Sequence, residues 1–259
     1  MAMQVLPFLG LRQPVSAVTH GVGFLAACFT TLYFHRSIRG DRRRWLAFLC
    51  FGFCLMGAYA ASCLYHAALV TGDRLLFFRR LDHTGIYLLI AGTFTPALGI
   101  GLGHQRRWRF LVALVWLAAT VGICCKWMYA IQPYWVSISF YIGMGWLGFM
   151  PLGAFNRTLG LSAVGWALGG GVVYTVGGLA DVNGWPNLIE GVFGSHEFMH
   201  LCTMGGSACH CVFLTRYVLP NELGPRRILP GSMPEPATLR TRRALTTSYS
   251  PEQRPRNAG

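Results

Sequence analysis

Seven apolar stretches follow one another along this chain, at about residues 15–34, 45–70, 81–102, 108–125, 133–153, 159–180 and 191–219. Each is close to the roughly 20 residues a helix needs to cross a hydrocarbon layer. The connectors, such as HRSIRGDRRR, TGDRLLFFRR and GHQRRWR, are short and basic and leave little room for a folded domain outside the bilayer. A backbone in lipid must satisfy its own hydrogen bonds, so stretches of this length predict helices. The expected fold is an all-α membrane protein, a seven-transmembrane-helix bundle over residues 15–219 behind a short N-terminal segment, residues 1–14. The first stretch lacks a basic leader and a small-residue cleavage pattern, so it reads as a retained span and not a signal peptide. Beyond Leu219 the chain turns rich in Pro, Arg, Ser and Thr. Such a segment buries too little apolar surface to fold, and residues 220–259 are expected to form a disordered basic tail.

Composition narrows the function classes. Charged residues make up 12% of the chain and hydrophobic ones 53%, about half the charged share of a soluble domain. The formal net charge of +13 sits in short connectors and in the tail, with no soluble basic domain to hold a duplex, so nucleic acid is not an expected partner. Nine cysteines occur without a CxxC pair, mostly inside apolar stretches, and read as small buried hydrophobes, not a disulfide framework.

The basic residues also predict an orientation. With alternating crossings, the face of the N-terminus holds Arg12, Arg74, Arg79, Arg80 and Lys126. The opposite face holds Arg36, Arg39, Arg42, Arg43, Arg44, Arg106, Arg107, Arg109, Arg157, Arg216, Arg226 and Arg227. By the positive-inside rule the C-terminus is cytosolic and the N-terminus outside, in a multi-pass protein of the plasma membrane.

Ionisable side chains inside spans are costly, so each is a functional candidate. The second stretch ends in SCLYH, placing Ser62 and His66 on one helical face. The third opens RRLDHTGIY with Asp82 just inside, and the seventh carries His196 and His200 one turn apart. Four crossings separate the end of the second stretch from the start of the seventh. An even number returns His66, Asp82, His196 and His200 to one face at similar depth. Three neutral imidazoles suit a catalytic Zn²⁺, which keeps a fourth position for water. The expected ligands are His66, His196 and His200, with Asp82 as partner of the water and general base, and Ser62 as a hydrogen-bond donor within the site.

The stretch SHEFMH also matches the HExxH pattern of zinc peptidases, with Glu197 in the place of the base. A peptidase reading leaves Ser62, His66 and Asp82 unexplained, so intramembrane peptidolysis is a minor alternative. His20, on the face of the site, is expected to line the pocket or to hydrogen-bond a neighbouring helix. Tyr87 is expected to reach the site or to pack. His83 reads as an interfacial residue without a role, and His210 as too deep to share the ion.

At these residues the chain resembles the hemolysin III family, a bacterial branch related to the progestin and adipoQ receptors and, more distantly, to alkaline ceramidases. The resemblance runs from VTHGVGF to GGSACH through SCLYH, LDHTGIYLLIAGTFTP, YIGMGWLG, GGGVVYTVGG and SHEFMHLCTMGGSACH. It implies seven helices and a zinc ion held by three histidines with a serine and an aspartate close by. Carried over position by position these are His66, His196, His200, Ser62 and Asp82. It further implies hydrolysis of a lipid amide such as ceramide, and the branch name implies cytolysis. The receptor branch is described with a cytosolic N-terminus, opposite to the orientation the arginines predict here. The expected function is thus a zinc-dependent hydrolase of a lipid amide or ester, with membrane lipid as substrate. The alternatives are a non-catalytic zinc-stabilised sensor or lipid-homeostasis protein, and a cytolysin.

Overall fold

The computed structural model describes residues 10–129 and 133–221. The expected tail, residues 220–259, lies outside them apart from its first two positions, as do residues 1–9. Among the described residues the chain is helical, with one isolated bridge between Ile189 and Phe193 and no strand. Eight α-helices follow in order: α1 (Pro14–Ser37), α2 (Arg42–Ala67), α3 (Gly72–Gly99), α4 (Arg106–Met128), α5 (Tyr134–Trp146), α6 (Leu152–Leu159), α7 (Leu161–Val182) and α8 (Ser195–Phe213).

The helix boundaries differ from the apolar stretches where polar residues are good helix formers. α3 starts at Gly72, nine residues ahead of the third stretch, because Arg and Leu in DRLLFFRR favour helix whatever their hydropathy. α2 starts at Arg42, where the Asp41 carboxylate accepts from the Arg44 backbone N–H and caps the helix. The fifth stretch is not one straight rod. α5 passes through a 3₁₀ turn, Leu147–Phe149, and α6 leaves at 43°. Pro151 stands at that break and offers no N–H to continue the ladder.

Four helices, α1, α2, α4 and α7, are long and apolar enough to cross a membrane, and five spans result if α5 and α6 form one bent crossing. α3 (28 residues) and α8 (19 residues, followed by a π turn, Leu214–Val218) have the length. Their hydropathy is lowered by the groups they carry, Asp82 and His83 on one, His196, Glu197 and His200 on the other. Large apolar side chains point outward, with Phe29 72% exposed. A surface this apolar is that of a membrane protein.

The helices pack in sequence as α1–α2–α3–α4, α5 sits on α3 and α7, α7 on α8, and α8 returns to α1. That closure surrounds an internal cavity. Close approach across two of the contacts requires glycine. A Cβ at Gly85 would lie 2.7 Å from the Ala58 Cα across α2–α3, and one at Gly177 would lie 2.5 Å from the Cys202 Cβ across α7–α8.

Candidate metal centre

The N-terminal turn of α8 and the C-terminal turn of α2 meet at one end of the bundle. Gln13, immediately before α1, joins them: its N–H donates to the His66 carbonyl at 2.9 Å. The three histidines His66, His196 and His200 cluster there, with ligand nitrogens within 4.8 Å of one another. His66 and His200 are 1% and 2% exposed.

Two of the rings are held by partners on their far side. The His66 Nδ1 lies 2.5 Å from the Gln13 Oε1. The His196 Nδ1 lies 3.3 and 3.2 Å from the two carboxylate oxygens of Asp181 on α7. An amide oxygen and a carboxylate only accept, so each Nδ1 carries the proton and each Nε2 keeps its lone pair. Those lone pairs face the interior of the cluster, where the His200 Nε2 approaches the His196 Nε2 at 3.1 Å. The buried His66 Nε2 has no hydrogen-bond partner. Buried lone pairs that converge are what a cation satisfies, and an anchored Nδ1–H behind His66 and His196 is the support that ligating histidines need, while the buried His200 Nδ1 has no partner. The three residues could therefore hold a metal ion, and imidazole nitrogens suit zinc, copper, iron or nickel over magnesium or calcium.

Ser62 and Asp82 line the same cavity as His196 and His200. Ser62 is buried at 4% exposure. The cavity measures about 460 Å³. From His196 it runs along α8 to Phe213, about 26 Å away at the helical rise, where Leu98 and Phe155 also line it. One end is polar and the other apolar.

Several side chains have other places than the sequence suggested. Glu197 is turned from the cluster: its Oε2 accepts from the Gly194 N–H at 2.9 Å and its Oε1 from the Ser16 hydroxyl at 3.2 Å. It is a cap on its own helix and a tie to α1. His83 is buried among protein atoms and lines the cavity, facing Tyr141. His20 lines the pocket with its ring 3.9 Å from that of His200, and neither of its nitrogens has a partner. Tyr87 packs against Tyr141, and the His210 Nε2 binds the Ala167 carbonyl.

Sequence reasoning did not single out Asp181, Gln13 or Tyr141. Asp181 and Gln13 each fall just outside an apolar stretch, on the face that parity assigns to the histidines, and that placement was the available signal. Tyr141 opens the YIGMGWLG motif. Its buried hydroxyl has no hydrogen-bond partner, and the ring lines the cavity.

Comparison with known proteins gives concordant matches. The family model described as Haemolysin-III related matches residues 10–211. The chain is 33% identical over 211 residues to Hemolysin-3 of Bacillus cereus, covering 81% of this chain and 93% of that protein. It is 29% identical over 200 residues to the Hemolysin-3 homolog of Bacillus subtilis (strain 168), covering 76% and 90%.

Proposed function

The chain belongs to the haemolysin III-related family, and on that premise we propose that it is a multi-pass zinc protein that hydrolyses an amide or ester bond of a membrane lipid. The observation that carries this reading is the convergence of His66, His196 and His200 on one point at the polar end of a cavity whose far end is apolar. His66, His196 and His200 would hold the ion. A divalent cation there supplies Lewis-acid polarisation of a carbonyl oxygen and makes water a better nucleophile at neutral pH.

The side chains of this protein do the rest. Asp82 takes the proton of the attacking water, and Ser62, lining the same cavity, is the hydroxyl available to donate within the site. The apolar end receives an acyl chain, which sets the scissile carbonyl at the histidine end and excludes bulk water. Glu197, held by Gly194 and Ser16, is turned from the histidines and is not placed to serve as the base of a peptidase.

Seven crossings would fit the same picture. The meeting of the end of α2 with the start of α8 asks for an even number of crossings between them, and α3, α4, the bent α5–α6 pair and α7 would make four if each crosses. The arginine-rich connectors then lie on the cytosolic side, with the N-terminus and the histidine cluster near the outer face.

A non-catalytic role is favoured by one observation: the ligands come from α2 and α8, which are not among the closely packed helix pairs, so an ion would also tie the bundle shut. The test is metal content of purified protein by elemental analysis, wild type against His66→Ala. It is paired with product release from amide- and ester-linked lipids in detergent by wild type, His200→Ala and Asp82→Asn. About one zinc per chain, lost in His66→Ala, with turnover abolished in Asp82→Asn while the metal stays, is the expected outcome. Metal without turnover on any lipid would leave the stabilising role, and absence of metal from wild type would remove both.

A further inference from the structure

At the end of the bundle away from the histidines, α2, α3 and α4 leave an open groove of about 590 Å³. α2 contributes Arg42, Arg43 and Leu46 to one wall, α4 contributes Arg109 and Val112 to the other, and Gly99 of α3 lies in the floor. Twenty-four residues of α2 separate Arg42 from His66, about 36 Å along the helix axis, so this groove is distinct from the metal centre.

Its chemistry is divided. The three arginines come from the first turns of α2 and α4, at the level where spans leave the hydrocarbon, and Leu46 and Val112 follow one turn deeper. Arg43 donates to the Gly99 carbonyl at 2.9 Å, which turns a guanidinium over the floor. Among the described residues none of the three pairs with a carboxylate. The floor is open as well, since a Cβ at Gly99 would meet nothing within 4 Å. Three uncompensated guanidinium groups above an apolar trough match a phosphodiester headgroup with its acyl chain below. Guanidinium binds phosphate oxygens in a bidentate fork, and basic pockets between spanning helices on this face suit anionic lipid.

We infer that the α2–α3–α4 groove is a binding site for an anionic phospholipid, with Arg42, Arg43 and Arg109 on the phosphate and the chain along Leu46, Gly99 and Val112. A free phosphate would use the arginines alone and gain nothing from the trough.

The test is native mass spectrometry of delipidated full-length protein titrated with phosphatidylglycerol, phosphatidylcholine or inorganic phosphate. Wild type is expected to take up one phosphatidylglycerol with clear preference over phosphatidylcholine. Arg42→Gln/Arg109→Gln, which keeps the Arg43–Gly99 bond, should weaken that binding by about five-fold per charge removed. Gly99→Leu keeps every arginine and fills the floor, and it should also lower uptake, a result that surface charge alone does not produce. Arg36→Gln/Arg39→Gln, outside the groove, should leave uptake unchanged. Equal binding of the two lipids, saturation by inorganic phosphate, or full uptake by Gly99→Leu together with the double arginine variant would overturn the site.

Discussion

The His196 Nδ1 stands 3.2 Å from the Asp181 Oδ2, joining the first turn of α8 to the last turn of α7. The Tyr134 hydroxyl donates to the same carboxylate, so Asp181 is held in turn. This pairing keeps the proton of His196 on the side away from the cluster and its lone pair on the side of His66 and His200. Asp181→Asn would offer an amide N–H in place of an oxygen and favour the other tautomer. Metal affinity is expected to fall by about 10- to 100-fold, read by titration against a competing chelator. An unchanged affinity would separate Asp181 from the metal group.

Gln13 does for His66 what Asp181 does for His196, with a neutral acceptor. Gln13→Leu removes the side-chain partner and keeps the backbone bond from residue 13 to the His66 carbonyl. The expected loss of metal affinity is about ten-fold, the low end of such effects. Elemental analysis after dialysis reads it, and a loss as large as that of Asp181→Asn would contradict the ordering of the two anchors.

Glu197 distinguishes the lipid hydrolase from a peptidase. Glu197→Gln should retain metal and turnover, since its oxygen still accepts from the Gly194 N–H. Glu197→Ala removes the cap and the Ser16 bond and should destabilise the fold by about 1–2 kcal/mol, seen as a lower melting temperature in detergent. Turnover abolished in Glu197→Gln with metal still bound would point back to a catalytic glutamate.

Gly177 sets the distance between α7 and α8, and so between Asp181 and His196. Gly177→Leu places atoms where the Cys202 Cβ already lies. The helices must part, at a cost of about 1–3 kcal/mol, and metal binding should weaken with them. Gly169→Leu, where a Cβ would meet nothing within 4 Å, is the control and should change neither.

Much of the fold was legible because it depends on hydropathy and length along the chain. Apolar stretches of about 20 residues have no stable alternative to helix in lipid, and they locate α1, α2, α4 and α7 to within a few residues. The start of α3 was missed because charged residues, Asp73, Arg74, Arg79 and Arg80, interrupt the apolar ones in its first turns, so they form a helix that hydropathy does not report. The bend after α5 was missed because a proline marks a possible break without stating the angle, which depends on the packing of α6 against α7 and not on the local sequence.

The parity of seven expected crossings predicted that His66, Asp82, His196 and His200 meet at one end of the molecule, and the three histidines do cluster, with Asp82 lining the cavity of His196 and His200. It did not decide which nitrogen of each ring faces inward, that Glu197 turns away to cap α8, or that Asp181 and Gln13 stand behind the histidines. Those depend on how each helix is rotated about its own axis. Rotation is set by contacts between helices far apart in sequence, such as Gly177 against Cys202, and no local pattern encodes it.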